Sequence, residues 1–85
     1  MRHLKSSDFR RMFDALPIDV QVQARKQFEL LKSDPRHPSL RFKKIGEIWS
    51  ARVSSNYRAL ADPIDGGFYW FWIGPQDEYE RVIRG

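Results

Sequence analysis

The sequence predicts an α+β domain in which an N-terminal helical hairpin packs on one face of a three- to four-stranded antiparallel sheet. Three observations carry this. Apolar residues from Phe9 to Leu31 recur at helical spacing. After the segment SDPRHPS the period changes to two, and from Phe68 to Ile73 the chain is apolar at every position, as in a strand covered on both faces.

Each element has its own local cause. Arg2-His3-Leu4-Lys5 suits a short edge strand. Ser6, Ser7 and Asp8 are helix-start residues, and Phe9, Met12, Phe13 and Leu16 follow on one face. Pro17 interrupts the chain and suits the first turn of a second helix over 18–32. There Val20, Ala24, Phe28 and Leu31 form the apolar stripe, while Gln21, Arg25, Lys26, Glu29 and Lys32 face away. The two prolines of SDPRHPS make a loop, in which His37 can hydrogen-bond within its own turn. Trp49, Ala51 and Val53 then point to one side of a strand and Ser50, Arg52 and Ser54 to the other. Ser54-Ser55-Asn56 is a turn, and 57–61 is the returning strand. Asp62-Pro63 through Gly66-Gly67 reads as the next turn, and 68–73 as the central strand. In that strand Trp70 and Trp72 alternate with Tyr69 and Phe71, so one pair is expected to face the hairpin. A ribonucleoprotein-type stacking platform also uses strand aromatics, but the glycine-flanked pattern of such motifs is absent. Gly74-Pro75 ends the strand and leaves a short tail.

Composition narrows the classes. With 85 residues the chain is expected to be one domain, 1–85, whose core must be dense; an aromatic content of 14% suits that need. There is no cysteine, so neither disulfides nor thiolate metal sites are expected. The opening MRHLKSSDFRR is too polar for a signal peptide, and no apolar run is long enough to span a membrane, so a soluble, intracellular protein is expected. The net charge of +4 is unevenly spread: Arg41, Lys43, Lys44, Arg52 and Arg58 stand against Glu47 alone. Such a block suits a phosphate backbone or an acidic partner, or else a solvated sheet edge.

No nucleotide loop, metal signature or Ser/His/Asp set is visible, and His3 and His37 stand alone. What remains is a group of arginines with a tyrosine. Arg52 and Arg58 fall on strands joined by a short turn, and Glu78, Tyr79 and Arg81 follow the neighbouring strand. A guanidinium holds phosphate through two parallel hydrogen bonds and keeps its charge. The competing role for each arginine is an ion pair with an acid such as Asp62 or Glu78.

The strings DPRHPSLRFKKI, WSARVSSNYRAL and FYWFWIGPQDEYERVI, with the helix ALPIDVQVQARKQFELL before them, resemble the RelE/ParE superfamily of toxins from bacterial toxin–antitoxin pairs. The resemblance implies a RelE-like fold, a cytoplasmic protein, a cognate antitoxin as partner, and no cofactor or metal. In the nuclease branch it implies ribosome-dependent cleavage of messenger RNA, in which a ribose 2′-hydroxyl attacks the adjacent phosphate. Arg58 matches the strand arginine that would clamp this phosphate, Arg52 would assist, and Tyr79 would orient the hydroxyl or stack on a base. Lys43 and Lys44 would hold the RNA backbone, with Arg41, Arg81 and Gln76 lining its path. Where related sequences carry histidine or arginine after the glycine, this chain has Pro75-Gln76, which supplies no proton near neutral pH. The superfamily also contains DNA gyrase inhibitors, and a degenerate member retaining only antitoxin binding is the third alternative.

Overall fold

A computed structural model describes residues 1–85. In chain order the elements are β1 (Arg2–Lys5), α1 (Ser7–Asp14), α2 (Ile18–Ser33), a 3-10 turn (Pro38–Leu40), β2 (Lys43–Ile45), β3 (Ile48–Ser54), β4 (Tyr57–Ile64), β5 (Gly67–Pro75) and α3 (Gln76–Arg84). The Ser6 hydroxyl caps α1 by accepting from the Phe9 amide at 2.9 Å. Pro17 sits at the N-cap of α2, and its carbonyl accepts from the Gln21 amide at 3.0 Å. The stripe on α2 behaves as the spacing requires, with Val20, Ala24 and Leu31 buried.

The sheet has five strands in the order β1-β5-β4-β3-β2, one more than the upper expectation, and is not wholly antiparallel. β1 pairs parallel with β5, while the other neighbours are antiparallel. A parallel edge follows from chain direction: the helices carry the chain away from β1 before the meander begins. The further strand, β2, forms a tight hairpin with β3 across Gly46-Glu47, where Gly46 takes a positive φ of 61°. The turn read at 62–67 is shorter than expected, since Asp62, Pro63 and Ile64 continue β4 and only Asp65-Gly66 turn. Pro63 is tolerated because the last β3 pairing is Trp49 with Ala61, so no strand needs its missing N–H.

Two further expectations are corrected. The tail is a helix, α3: Pro75 presets its entry at φ −65°, Asp77 and Glu78 lie in its first turn, and Arg81 and Arg84 in its last, matching the helix dipole at both ends. Trp70 and Trp72 also do not share a face. Ala61 pairs with Trp70 and Leu60 with Trp72, so Phe71 is an extra residue in β5. Trp70 is therefore buried among the core residues under the hairpin, and Trp72 turns to the opposite face.

The main core lies between the hairpin and the sheet, where Phe9, Val20, Ala24 and Leu31 meet Ala51, Val53, Ala59, Phe68, Trp70 and Ile73. On the other face Leu60, at 0% exposure, and Tyr79 are buried where α3 crosses the sheet. His3 joins the main core: its ring lies edge-on to Phe28 at 5.2 Å and near parallel to Phe68 at 6.1 Å. The Trp70 indole N–H donates to His3 Nδ1 at 3.1 Å, which leaves the ring proton on Nε2, a buried atom with no partner.

Two outcomes follow for stability. Trp70→Ala should cost roughly 3–5 kcal/mol, as for a large buried ring, whereas Trp72→Ala, removing a half-buried one, should cost about 1–2 kcal/mol; thermal melts of both variants check this. The second concerns pH. Burial, reinforced by the amino terminus, Lys5 and Lys32, lowers the His3 pKa below its usual 6.5. Protonation would also set an N–H against the Trp70 donor. The unfolded chain thus binds more protons than the folded one just below pH 6.5, so stability should fall as pH drops from there towards the folded pKa and level off beneath it. His3→Gln should flatten this segment of the stability profile.

Candidate functional site

On the face of the sheet away from the hairpin, two rows of side chains cross the strands. Residues directly opposite in neighbouring strands share a face, so the register fixes both rows. One runs Lys43, Ser50, Leu60, Trp72 over β2, β3, β4 and β5. The next runs Arg52, Arg58, Gly74 over β3, β4 and β5. Two arginines thus stand directly opposite on adjacent strands, a like-charge pairing that costs stability.

Neither is neutralised. The ion pairs of the protein are Arg11–Asp8, Lys32–Glu29 and Arg84–Glu80, so the alternative role as partners of Asp62 or Glu78 is not realised for Arg52 or Arg58. Arg58 is held by its own turn: one guanidinium nitrogen donates to the Ser54 carbonyl at 2.7 Å and to the Tyr57 carbonyl at 2.9 Å. Burial and then repulsion from Arg52 lower its pKa; Tyr79 works in the opposite sense, and Arg41 adds to the lowering. The guanidinium remains charged at any working pH. The charges of Arg41 and Arg52 and the Tyr79 phenol are thus all felt at Arg58.

Arg41 occupies an exposed loop position at a positive φ of 43°, in the left-handed region that non-glycine residues seldom occupy. Its loop is held at Ser39. His37 Nδ1 accepts from the Ser39 amide at 3.2 Å, as the sequence suggested, and Gln27 of α2 donates to the Ser39 carbonyl at 3.2 Å. The same Gln27 amide donates to the Arg52 carbonyl at 2.9 Å, so one helix positions both the loop and the arginine strand.

Tyr79 is buried on the sheet side of α3, and the Ser50 hydroxyl donates to its phenol oxygen at 3.1 Å. Gln76, one turn earlier, is half-buried and its amide donates to the Asn56 carbonyl at 2.8 Å, fixing the start of α3 beside the β3–β4 turn. The structure therefore brings together Arg41, Arg52, Arg58 and Tyr79, with Lys43 in the adjoining row and Gln76 at the helix start. It does not bring in Lys44, which pairs with Trp49 on the hairpin face, nor Arg81, which is exposed and about 200° around the helix from Tyr79. Ser50, Gln27 and Trp72 were not singled out as site residues. A lone serine two residues before Arg52 on the same strand face was the one available signal for Ser50.

A separate cavity of about 380 Å³ lies under the helices, lined by Phe9, Phe13, Phe28 and Leu31 and floored by the small Ala51 and Ala59. Its lining is mainly apolar but includes Lys5, Arg10, Arg25 and Arg52, while the register turns the Arg52–Arg58–Gly74 row to the opposite face. There, a paired guanidinium surface can hold an anionic oxygen cluster such as a phosphate. No imidazole lies on this face, since His3 is in the hairpin core and His37 in the loop.

No protein-family model matches the chain, and no curated protein matches it in sequence. Solved structures do match in shape. A chain of the RelB-RelE antitoxin–toxin complex from Methanococcus jannaschii superposes with a TM-score of 0.73 at 13% identity, covering 93% of this chain and 96% of that one. YafQ from E. coli strain BL21(DE3) gives 0.73 at 12% identity, over 92% and 96%. The isolated E. coli RelE toxin gives 0.63 at 18% identity, over 96% and 95%. The chain has the RelE fold.

The Ser50–Tyr79 bond has a measurable consequence. Tyr79→Phe leaves a buried hydroxyl without its partner and should destabilise the fold by about 1–3 kcal/mol. Adding Ser50→Ala to that variant should restore part of the loss, because no polar group is then stranded. Chemical denaturation of the two single variants and the double variant gives the coupling directly.

Proposed function

We propose that this protein is the toxin of a type II toxin–antitoxin pair and inhibits translation by cutting messenger RNA on the ribosome. The observation that carries the reading is the Arg52–Arg58 pair, opposite one another, without an acidic partner, and beside Tyr79. Like charges placed together at a cost to stability make sense where an anion joins them. The RelE fold, shared with structures described as toxins and as antitoxin–toxin complexes, supports the class of protein.

The chemistry assigned here is transfer of the scissile phosphate to its neighbouring ribose oxygen. The 2′-hydroxyl loses its proton and bonds to phosphorus, the bond to the 5′-oxygen breaks, and that oxygen takes up a proton. Charge builds on the equatorial phosphate oxygens, where Arg58 and Arg52 are already in place. Fixing one edge of Arg58 on the Ser54 and Tyr57 carbonyls leaves less to reorganise as the charge develops. Tyr79 lies against this pair with its hydroxyl engaged by Ser50, and Lys43 extends the cationic row towards the RNA backbone. The arginine face supplies no imidazole, so both proton transfers fall to groups that the ribosome brings, which gives a chemical reason for ribosome dependence. In the absence of RNA, an acidic segment of the antitoxin covers the same arginines.

The test is cleavage of a defined message on programmed ribosomes, run beside a gyrase supercoiling assay and an antitoxin-binding measurement. Arg58→Ala should slow cleavage on the order of 10²–10³-fold, by analogy with loss of one oxyanion-hole donor, and Arg58→Lys should recover only part because an ammonium lacks the fork. Arg52→Ala with Arg58→Ala should also weaken antitoxin binding. Inhibition of supercoiling by a parent that leaves the message whole would replace this reading with a gyrase-binding one.

A further inference from the structure

The extra residue Phe71 sends Trp72 to the arginine face. There its ring folds back along the strand over Gly74: a Cβ at position 74 would come within 2.9 Å of Trp72 Cζ2 and 3.0 Å of Cη2. Gly74 is the residue directly opposite Arg58, which is itself opposite Arg52. The indole, Arg58 and Arg52 thus follow one line across three strands, with adjacent strands about 5 Å apart. The Tyr79 ring braces the indole from the α3 side at 6.4 Å and a tilt of 41°. Unlike Trp70, Trp72 is not a member of the main core, and it is only half-buried. Its N–H bonds nothing in the protein, yet the only buried unpartnered side-chain atom is His3 Nε2, so the indole N–H reaches solvent. No cation of the protein sits over this ring; the cation–aromatic contacts involve Phe28 and Phe13 on the hairpin side. A half-buried indole whose N–H edge reaches solvent, seated over a glycine and beside two unpaired guanidinium groups, matches the combination by which proteins hold one base and its phosphate.

We propose that Trp72 is a stacking platform for one nucleobase of single-stranded RNA whose adjoining phosphate lies on Arg58 and Arg52. The platform is one ring, not the row of strand aromatics of a ribonucleoprotein motif. It rests on the reading of this face as an RNA site and adds the base contact that the arginines cannot supply. Because every base offers a π face, the contact tolerates sequence.

The experiment compares binding of a short unstructured RNA with binding of an abasic strand of equal length and charge, by fluorescence anisotropy at one fixed low salt concentration. The parent should bind the RNA about tenfold or more tightly than the abasic strand, the range expected for one stacked base. Trp72→Leu should erase that difference while leaving abasic binding unchanged, and Trp72→Phe should keep part of it. Gly74→Ala, which displaces the ring without removing it, should behave as Trp72→Leu does, and melting curves confirm that each variant folds. Arg58→Ala should weaken both strands alike. Equal binding of the two strands by the parent overturns the platform while leaving the phosphate site standing. A Trp72→Leu or Trp72→Phe variant that weakens both strands equally also overturns it, since the ring would then only support the arginines. Binding of neither strand removes the RNA reading and the platform together.

Discussion

The constraint on which the rest of the structure depends is the single extra residue in β5. This strand lies between β1 and β4 and receives cover on both faces, from the helical hairpin on one side and from α3 on the other. A regular strand would have sent Trp70 and Trp72 to the same side. Phe71 breaks that alternation, so one tryptophan closes the main core and the other stands with Leu60 and Tyr79 in the second layer. A bulge next to a functional surface re-aims a side chain without changing the sheet order. Here it divides one aromatic run between stability and a charged face.

That charged face is held together against its own repulsion. Arg52 and Arg58 oppose one another across a ladder, and nothing in the protein neutralises them. The surrounding hydrogen bonds hold the Arg52 backbone through Gln27, the Arg58 guanidinium through the Ser54 and Tyr57 carbonyls, and the β3–β4 turn through the Gln76 backbone N–H on Asn56. These bonds come from α2, from the β3–β4 turn and from the start of α3, so three elements converge on one pair of arginines. Local choices that lower stability while their supports are well made are the sort expected where a protein binds something.

The second layer is small and depends on one polar contact. Ser50 is the one polar or charged residue set apart from the hydrophobic core among the 17 buried ones, and its partner is the Tyr79 hydroxyl. A buried hydroxyl pair is directional in a way that packing alone is not, so it fixes where along β3 the helix α3 comes to rest. The RelE fold by itself does not select a chemistry. On this chain the face away from the hairpin carries an arginine pair without an acidic partner and a tyrosine bonded to serine.

Much of this was legible in the sequence. The α2 stripe, the switch to period two at Trp49 and the loop around His37 are each set by neighbouring residues, through spacing, proline geometry and capping, and they form as read; β5 is covered on both faces except at Tyr69, which is exposed. Arg52, Arg58 and Tyr79 were singled out in the sequence, but the turn at 55–56 alone would set Arg52 opposite Ala59; the extra residue Val53 in β3 brings Arg52 opposite Arg58. What the tertiary structure alone decided was which residues share a face once register and ends matter. A one-residue step at Phe71 separates Trp72 from Trp70; pairing with Ser50 places Lys43 on the arginine face and pairing with Trp49 sends Lys44 to the other. β1 joins β5 across the length of the chain, and Ser50 finds its partner 29 residues away. Local propensity acts over a few residues, whereas register and long-range pairing come from the fit of whole surfaces, which no single stretch of sequence contains.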